Sequence, residues 1–180
     1  KNVEIPLLEL SDERYLDVQG NLSLLNWDAK HDMFIQAELK NLSVTQPGIR
    51  YFMDNLTGSV PSILDRMEFV RFKGSAGGYF HDLQVGGLLQ TAAGVVDANL
   101  LINSDLDFKR TYSGGVKSEN LNLGKLLGDS KFGHAQFNVD LEGFNYNDKY
   151  PESYIKGIVS SFDYSGYCYE NISLDGIYKD

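Results

Sequence analysis

The sequence predicts a mainly β protein: an elongated, curled antiparallel sheet, open like a groove, with two short amphipathic helices. Three observations lead there. Apolar and polar residues alternate with period two through most of the chain, as in strands with one buried face. Glycines recur at Gly20, Gly74, Gly87, Gly115, Gly143, Gly157 and Gly176, at spacings of 54, 13, 28, 28, 14 and 19, several of them multiples of about 13 or 14. That interval fits one strand plus its turn. Finally, no long helical pattern is available for parallel crossovers, so short turns must join antiparallel neighbours.

The elements follow in chain order. The opening "KNVEIPLLEL" already reads as strand text. Leu16, Val18, Leu22 and Leu24 share one parity, and residues 32–40 continue the alternation. At residues 47–66 the period changes. Ile49, Phe52, Met53 and Leu56 recur at helical spacing. Gly58 would end this helix and Pro61 would begin a second at its first turn. Strands are expected at 68–74 and 79–90, with "GSAGG" at 74–78 as a tight turn between them. Val96, Ala98, Leu100 and Ile102 form the next apolar face, followed by a strand at 109–118 and a helical turn within "NLGKLLG", 122–128. Phe137, Val139 and Leu141 mark another strand, and 153–164 and 168–178 close a set of about nine. The ending "YENISLDGIYKD" echoes "FHDLQVGGLLQT" at 80–91, pairing Ile172 and Leu174 with Leu83 and Val85. Repetition of that kind suits stacked strands rather than a catalytic motif. The chain divides into a β segment, 1–46, short helices, 47–66, and repeated strand units, 67–180, and reads as one piece of a longer repetitive protein.

Charge and composition exclude several functions. Net charge is −9, and the 16 Lys and Arg are scattered, with Lys109-Arg110 the only adjacent pair, so no nucleic-acid footprint exists. One cysteine, Cys168, rules out an intrachain disulfide framework. No apolar run approaches the roughly 20 residues of a membrane helix. Any anchoring would come from regions outside this sequence. The 47–66 segment carries only two cations, Arg50 and Arg66, against Asp54 and Asp65, too few for the basic face that lipid headgroups favour.

No constellation demands catalysis. His31, His81 and His134 are far apart, and a solvated turn explains His31 between Asp28 and Asp32 as well as a metal does. Asp105 and Asp107 share a strand face, an arrangement also expected of a water-facing edge. "GSAGG" lacks the Lys-Ser/Thr of a phosphate loop. A non-enzymatic role without cofactor or metal is therefore expected. Tyr146, Tyr150, Tyr154, Phe162, Tyr164, Tyr167 and Tyr169 crowd one segment. Tyrosine pairs well across strands, and it also builds sugar-binding platforms, so a carbohydrate-binding β-domain is the alternative reading. Of the four Asn-x-Ser/Thr sites, at Asn21, Asn41, Asn55 and Asn171, three sit inside a recurring Asn-aliphatic-polar pattern, which fits strand geometry better than glycan attachment.

"FVRFKGSAGGYFHDLQVGGLLQTAAGVVDANLLINS", 69–104, "YSGGVKSENLNLGKLLGDSKFGHAQFNVDLEG", 112–143, and "IKGIVSSFDYSGYCYENISLDGIYKD" resemble successive units of the translocation and assembly module (TamB) family of Bacteroidota, within the AsmA-like superfamily. The resemblance covers 41–180 and rests on turn glycines and patterning. It implies a periplasmic protein anchored in the inner membrane, whose strands curl into a β-taco that bridges the two membranes. Such a protein would carry phospholipid acyl chains, or assist outer-membrane protein assembly with an Omp85-type barrel partner. The residues expected to line its apolar concave groove are Leu22 and Leu24, Leu83 and Val85, Val96, Ala98, Leu100 and Ile102, Phe137, Val139 and Leu141, and Ile172 and Leu174. Cut edges of such a sheet would favour edge-strand self-association. An outer-membrane barrel fits less well, because aromatic girdles are not apparent.

Overall fold

A computed structural model describes residues 1–29, 32–58, 60–104, 109–146 and 152–179. The chain forms one ten-stranded sheet in which every strand pairs only with its neighbours in sequence. The strands are β1 (Val3–Asp12), β2 (Leu16–Leu25), β3 (Phe34–Thr45), β4 (Phe69–Tyr79), β5 (Asp82–Thr91), β6 (Gly94–Ser104), β7 (Lys109–Asn122), β8 (Phe132–Tyr146), β9 (Glu152–Tyr164) and β10 (Tyr167–Lys179). All pairs are antiparallel, and β1 and β10 remain as edges, so the sheet is an open meander rather than a closed barrel.

Ten strands stand where the alternation marks about nine; the tenth is β1, whose opening text reads as strand but lies outside the alternating set. Its run contains Pro6 and is irregular in register between Ile5 and Leu8, which blurs the period. A second expectation is corrected in β4. "GSAGG" is not a turn: Gly74–Gly78 lie inside the strand, and the reversal comes at Phe80 and His81. Gly74 sits opposite Gly87 of β5, and a Cβ on either would collide with the backbone of the other strand. These glycines permit close approach of two backbones, which sequence alone does not distinguish from a reversal.

The expected helical segment holds α1 (Gln46–Thr57) and α2 (Ser62–Arg66). Thr45 caps α1 by accepting from the Gly48 amide at 3.2 Å, and Gly58 ends it in the left-handed conformation, φ 73°. Residues 122–128 hold α3 (Leu123–Leu127), capped by Asn122 and ended by Gly128. The amphipathic character of α1 places its Ile49 in the buried interior.

In a meander, the β3–β4 and β7–β8 connections emerge at the same rim, so all three helices gather there. They are tied together. Arg66 donates from Nη1 to the Leu126 carbonyl at 2.6 Å, joining residues 60 apart in sequence. Lys125 pairs with Glu68 at 2.8 Å. The turn between β5 and β6 is held between them: Ala92 donates to the Met67 carbonyl, and Asn122 donates to the Ala93 carbonyl. Among the described residues, the buried apolar side chains are Ile49, Ala93, Leu121, Ala135 and Val139, and the first four cluster toward this rim. Beyond it, the principal contacts of each strand are with its sheet neighbours alone, so most of the molecule is a single layer.

Candidate functional site

Cross-strand register decides which side chains share a face. Directly opposed residues in an antiparallel pair point the same way. One row runs from Leu24 through Ile35, Gly78 and Leu83 to Ile102. The next runs from Leu22 through Ala37, Ala76, Val85, Leu100 and Gly114 to Leu141. A third joins Gly74, Gly87, Ala98, Val116, Val139, Gly157 and Leu174. In the fourth, Leu89 opposes Val96 on one side, and Phe137, Val159 and Ile172 align on the other. All thirteen apolar residues singled out from the sequence thus fall on one face, contributed by β2, β5, β6, β8 and β10.

Holding that face together across the width of the sheet requires irregularities. β3 carries an extra residue near Lys40, β7 near Glu119 and β9 near Ser160. Each inserted residue would otherwise turn every later side chain to the wrong side. In β10, Asn171 adopts φ 55° at the point where Glu170 and Ile172 come to lie on opposite faces.

The apolar face is half-buried rather than sealed. Val139 is buried, Ile102 is 39% exposed, and the other eleven lie between these classes. Their partial burial comes from row neighbours, since no second layer packs against them in the described structure. Rows of five to seven strands about 4.8 Å apart span roughly 20–30 Å, and four rows about 7 Å apart cover about 20 Å, a footprint on the order of 500 Å². Continuous apolar surface on monomers usually stays within a few hundred Å² unless something binds it.

The opposite face is more exposed and mixed in character: Gln36, Gln84, Asn99, Asp140 and Asp175 stand beside exposed Leu88, Leu101, Ile158 and Ile177. The sheet is hollowed on this side. One hollow of about 950 Å³ lies over β3–β6, and another of about 430 Å³ over β7–β10.

The tyrosine-rich segment does not form one platform. Phe162 and Tyr164 pack with Phe132, and Tyr169 with Phe162, on the apolar face, with centroid separations of 5.2–6.4 Å. Tyr154 lies on the opposite face and donates to Glu152 at 2.6 Å. Tyr150 and the Tyr146 side chain lie outside the described residues, as do His31, Asp105 and Asp107. His81 stacks on Tyr79 at 5.7 Å. Among the described residues, no group of three His, Cys, Asp or Glu is placed to hold a metal ion. Cys168 is exposed, and its thiol pKa is raised, first by a hydrogen bond with Asp163. No helix of the described residues is long and apolar enough to cross a membrane.

The glycine period maps only partly onto the structure. Gly20, Gly74, Gly87 and Gly157 share one row, whereas Gly115 lies on the opposite face and Gly143 and Gly176 belong to other rows. β5 and β10 run in opposite directions, so their echoing text is read in reverse across the sheet. Compared with protein-family models, curated proteins and solved structures, the chain matches none.

Proposed function

We propose that this chain is a segment of a periplasmic bridge-like protein that moves phospholipid between the inner and outer membranes, its apolar face receiving the acyl chains. The single observation that carries the reading is the register that aligns apolar side chains of β2 to β10 on one face, with no second layer over it among the described residues. Each methylene moved from water onto such a surface gains up to about 0.8 kcal/mol, so an acyl chain lying across several strands is held without any specific hydrogen bond. Sliding then costs little, because neighbouring rows present similar side chains. The resemblance of residues 41–180 to the TamB family supports the same reading and adds assistance to outer-membrane protein assembly, with an Omp85-type barrel as the partner. No nucleophile or acid-base pair is needed for either task.

Neighbouring positions on β6 provide the test. Leu100 lies on the apolar face, half-buried, and Asn99 is exposed on the opposite one. A photoreactive amino acid is placed at each in turn, in the protein in its native cells. Phospholipid adducts at Leu100 but not at Asn99 are the expected result. Equal labelling of both, or silence at Leu100, Val85 and Val139 together, would overturn it.

A further inference from the structure

The hollow over β3–β6 has a floor for which the fold gives no reason. Gly77 of β4 and Gly86 of β5 both line it. Neither has a φ in the left-handed region, and a Cβ on Gly77 would meet nothing within 4 Å. At Gly86 the nearest atom would be Asn99 Oδ1, at an ordinary 3.5 Å. The contrast is with Gly74 and Gly87 on the other face, where a Cβ would strike backbone. Glycine weakens the interior of a strand relative to alanine, so positions with neither conformational nor packing need for it mark where something else approaches the backbone closely.

The walls define what that would be. Gln36, Gln84 and Asn99 project amides into the hollow, each group carrying both donors and an acceptor. Gln84 Nε2 donates to Asn99 Oδ1 at 3.2 Å, which leaves the Gln84 carbonyl and the Asn99 amide nitrogen to serve a ligand side by side. Glu38 and Asp97 are balanced by Lys40 and Lys73. On a chain of net charge −9 this is a neutral patch, unsuited to selecting an ion of either sign. At one end stands Phe34, edge-to-face with Tyr79 at 5.4 Å, an apolar flank of the kind that takes the C–H side of a sugar ring. A peptide strand would seek an unpaired sheet edge, but β3–β6 are interior strands with both ladders filled.

We propose that this hollow binds an uncharged oligosaccharide, its hydroxyls read by the amides and one ring passing over the glycine floor. The site lies on the face opposite the acyl-chain surface, and it stands or falls separately from that reading.

Calorimetric titration of the chain tests it, using neutral hexasaccharides of β-1,4-glucose, α-1,4-glucose and β-1,4-N-acetylglucosamine, with hexagalacturonate as the anionic control. At least one neutral hexamer is expected to bind, with hexagalacturonate weaker by about tenfold or more. Gly77→Leu, which fills open space, should cost about tenfold or more in affinity while the thermal unfolding midpoint holds. Tyr164→Ala, outside the hollow, should leave affinity unchanged. The proposal is overturned if no neutral hexamer binds at millimolar concentration, if hexagalacturonate binds equally well, or if Gly77→Leu binds like the parent.

Discussion

The Tyr112 hydroxyl lies 2.6 Å from Ser153 Oγ, although a whole strand, β8, runs between β7 and β9. The contact is possible because Gly143 stands at the crossing. It is buried beneath the tyrosine ring, and a Cβ there would overlap the ring. One aromatic side chain thus covers a glycine and joins two strands that share no ladder, a device that pins register in a sheet lacking a second layer.

Tyr112→Phe keeps the ring and deletes the hydrogen bond, and should cost about 0.5–1.5 kcal/mol. Gly143→Ala crowds the ring and should cost about 1–3 kcal/mol. Denaturant unfolding checks both, as a lower midpoint at unchanged slope. Combining Tyr112→Phe with Ser153→Ala should add nothing to the single changes. Full additivity would show that the hydroxyls are not coupled.

The glycines of the sheet interior should divide into two kinds. Gly87 holds φ 158° with its α-carbon against Gly74, and the Phe72 ring lies over the pair, so Gly87→Ala should lose at least about 2 kcal/mol. Gly77 has open space where a side chain would go, and Gly77→Ala should be neutral or gain about 0.5–1 kcal/mol. Thermal melts of the two variants beside the parent decide the point. Destabilisation of similar size at both positions would remove the distinction on which the oligosaccharide site depends.

Much of this architecture was legible in the sequence because it is local. Period-two runs gave most of the strands and put Leu22 with Leu24, Val96 with Ile102 and Phe137 with Leu141 on common faces. The helix signals at Ile49–Leu56, Gly58 and Pro61 were equally direct. What the sequence hid depends on which strand lies opposite which. "GSAGG" looked like a turn because glycines serve reversals and close backbone approach alike, and only the Gly74–Gly87 pairing separates the two. The tyrosines looked like one cluster because nearness in sequence says nothing about faces once a bulge intervenes near Ser160. The polar hollow was missed altogether. Gln36, Gln84 and Asn99 sit on three strands and look like ordinary solvent-facing residues until register brings them together. Arg66 and Leu126 carried no signal at all, being coupled only through the helical rim.

That rim should also respond to acid through one ion pair. Arg50 of α1 grips Asp65 of α2 with both prongs, Nε at 2.7 Å and Nη2 at 3.2 Å. The hydrogen bond from Arg50 holds the Asp65 carboxyl below its ordinary pKa, partly opposed by desolvation and assisted by the Arg50 charge, a hydrogen bond from Gln46 and the Arg66 charge. A carboxyl whose folded pKa lies below its unfolded value stabilises the fold above the unfolded value. The contribution fades as pH falls through the lower, folded one. The pair is solvent-exposed, so its effect on global stability should be small, and screened by salt. The sharper readout is local. Carboxyl-carbon NMR should show Asp65 titrating below an ordinary aspartate, with α1 losing amide protection over the same acidic range. Arg50→Met should move that titration back up toward the ordinary value and abolish the acid-dependent loss of protection. An Asp65 titration unmoved by Arg50→Met would mean that the two helices are not joined through this pair in solution.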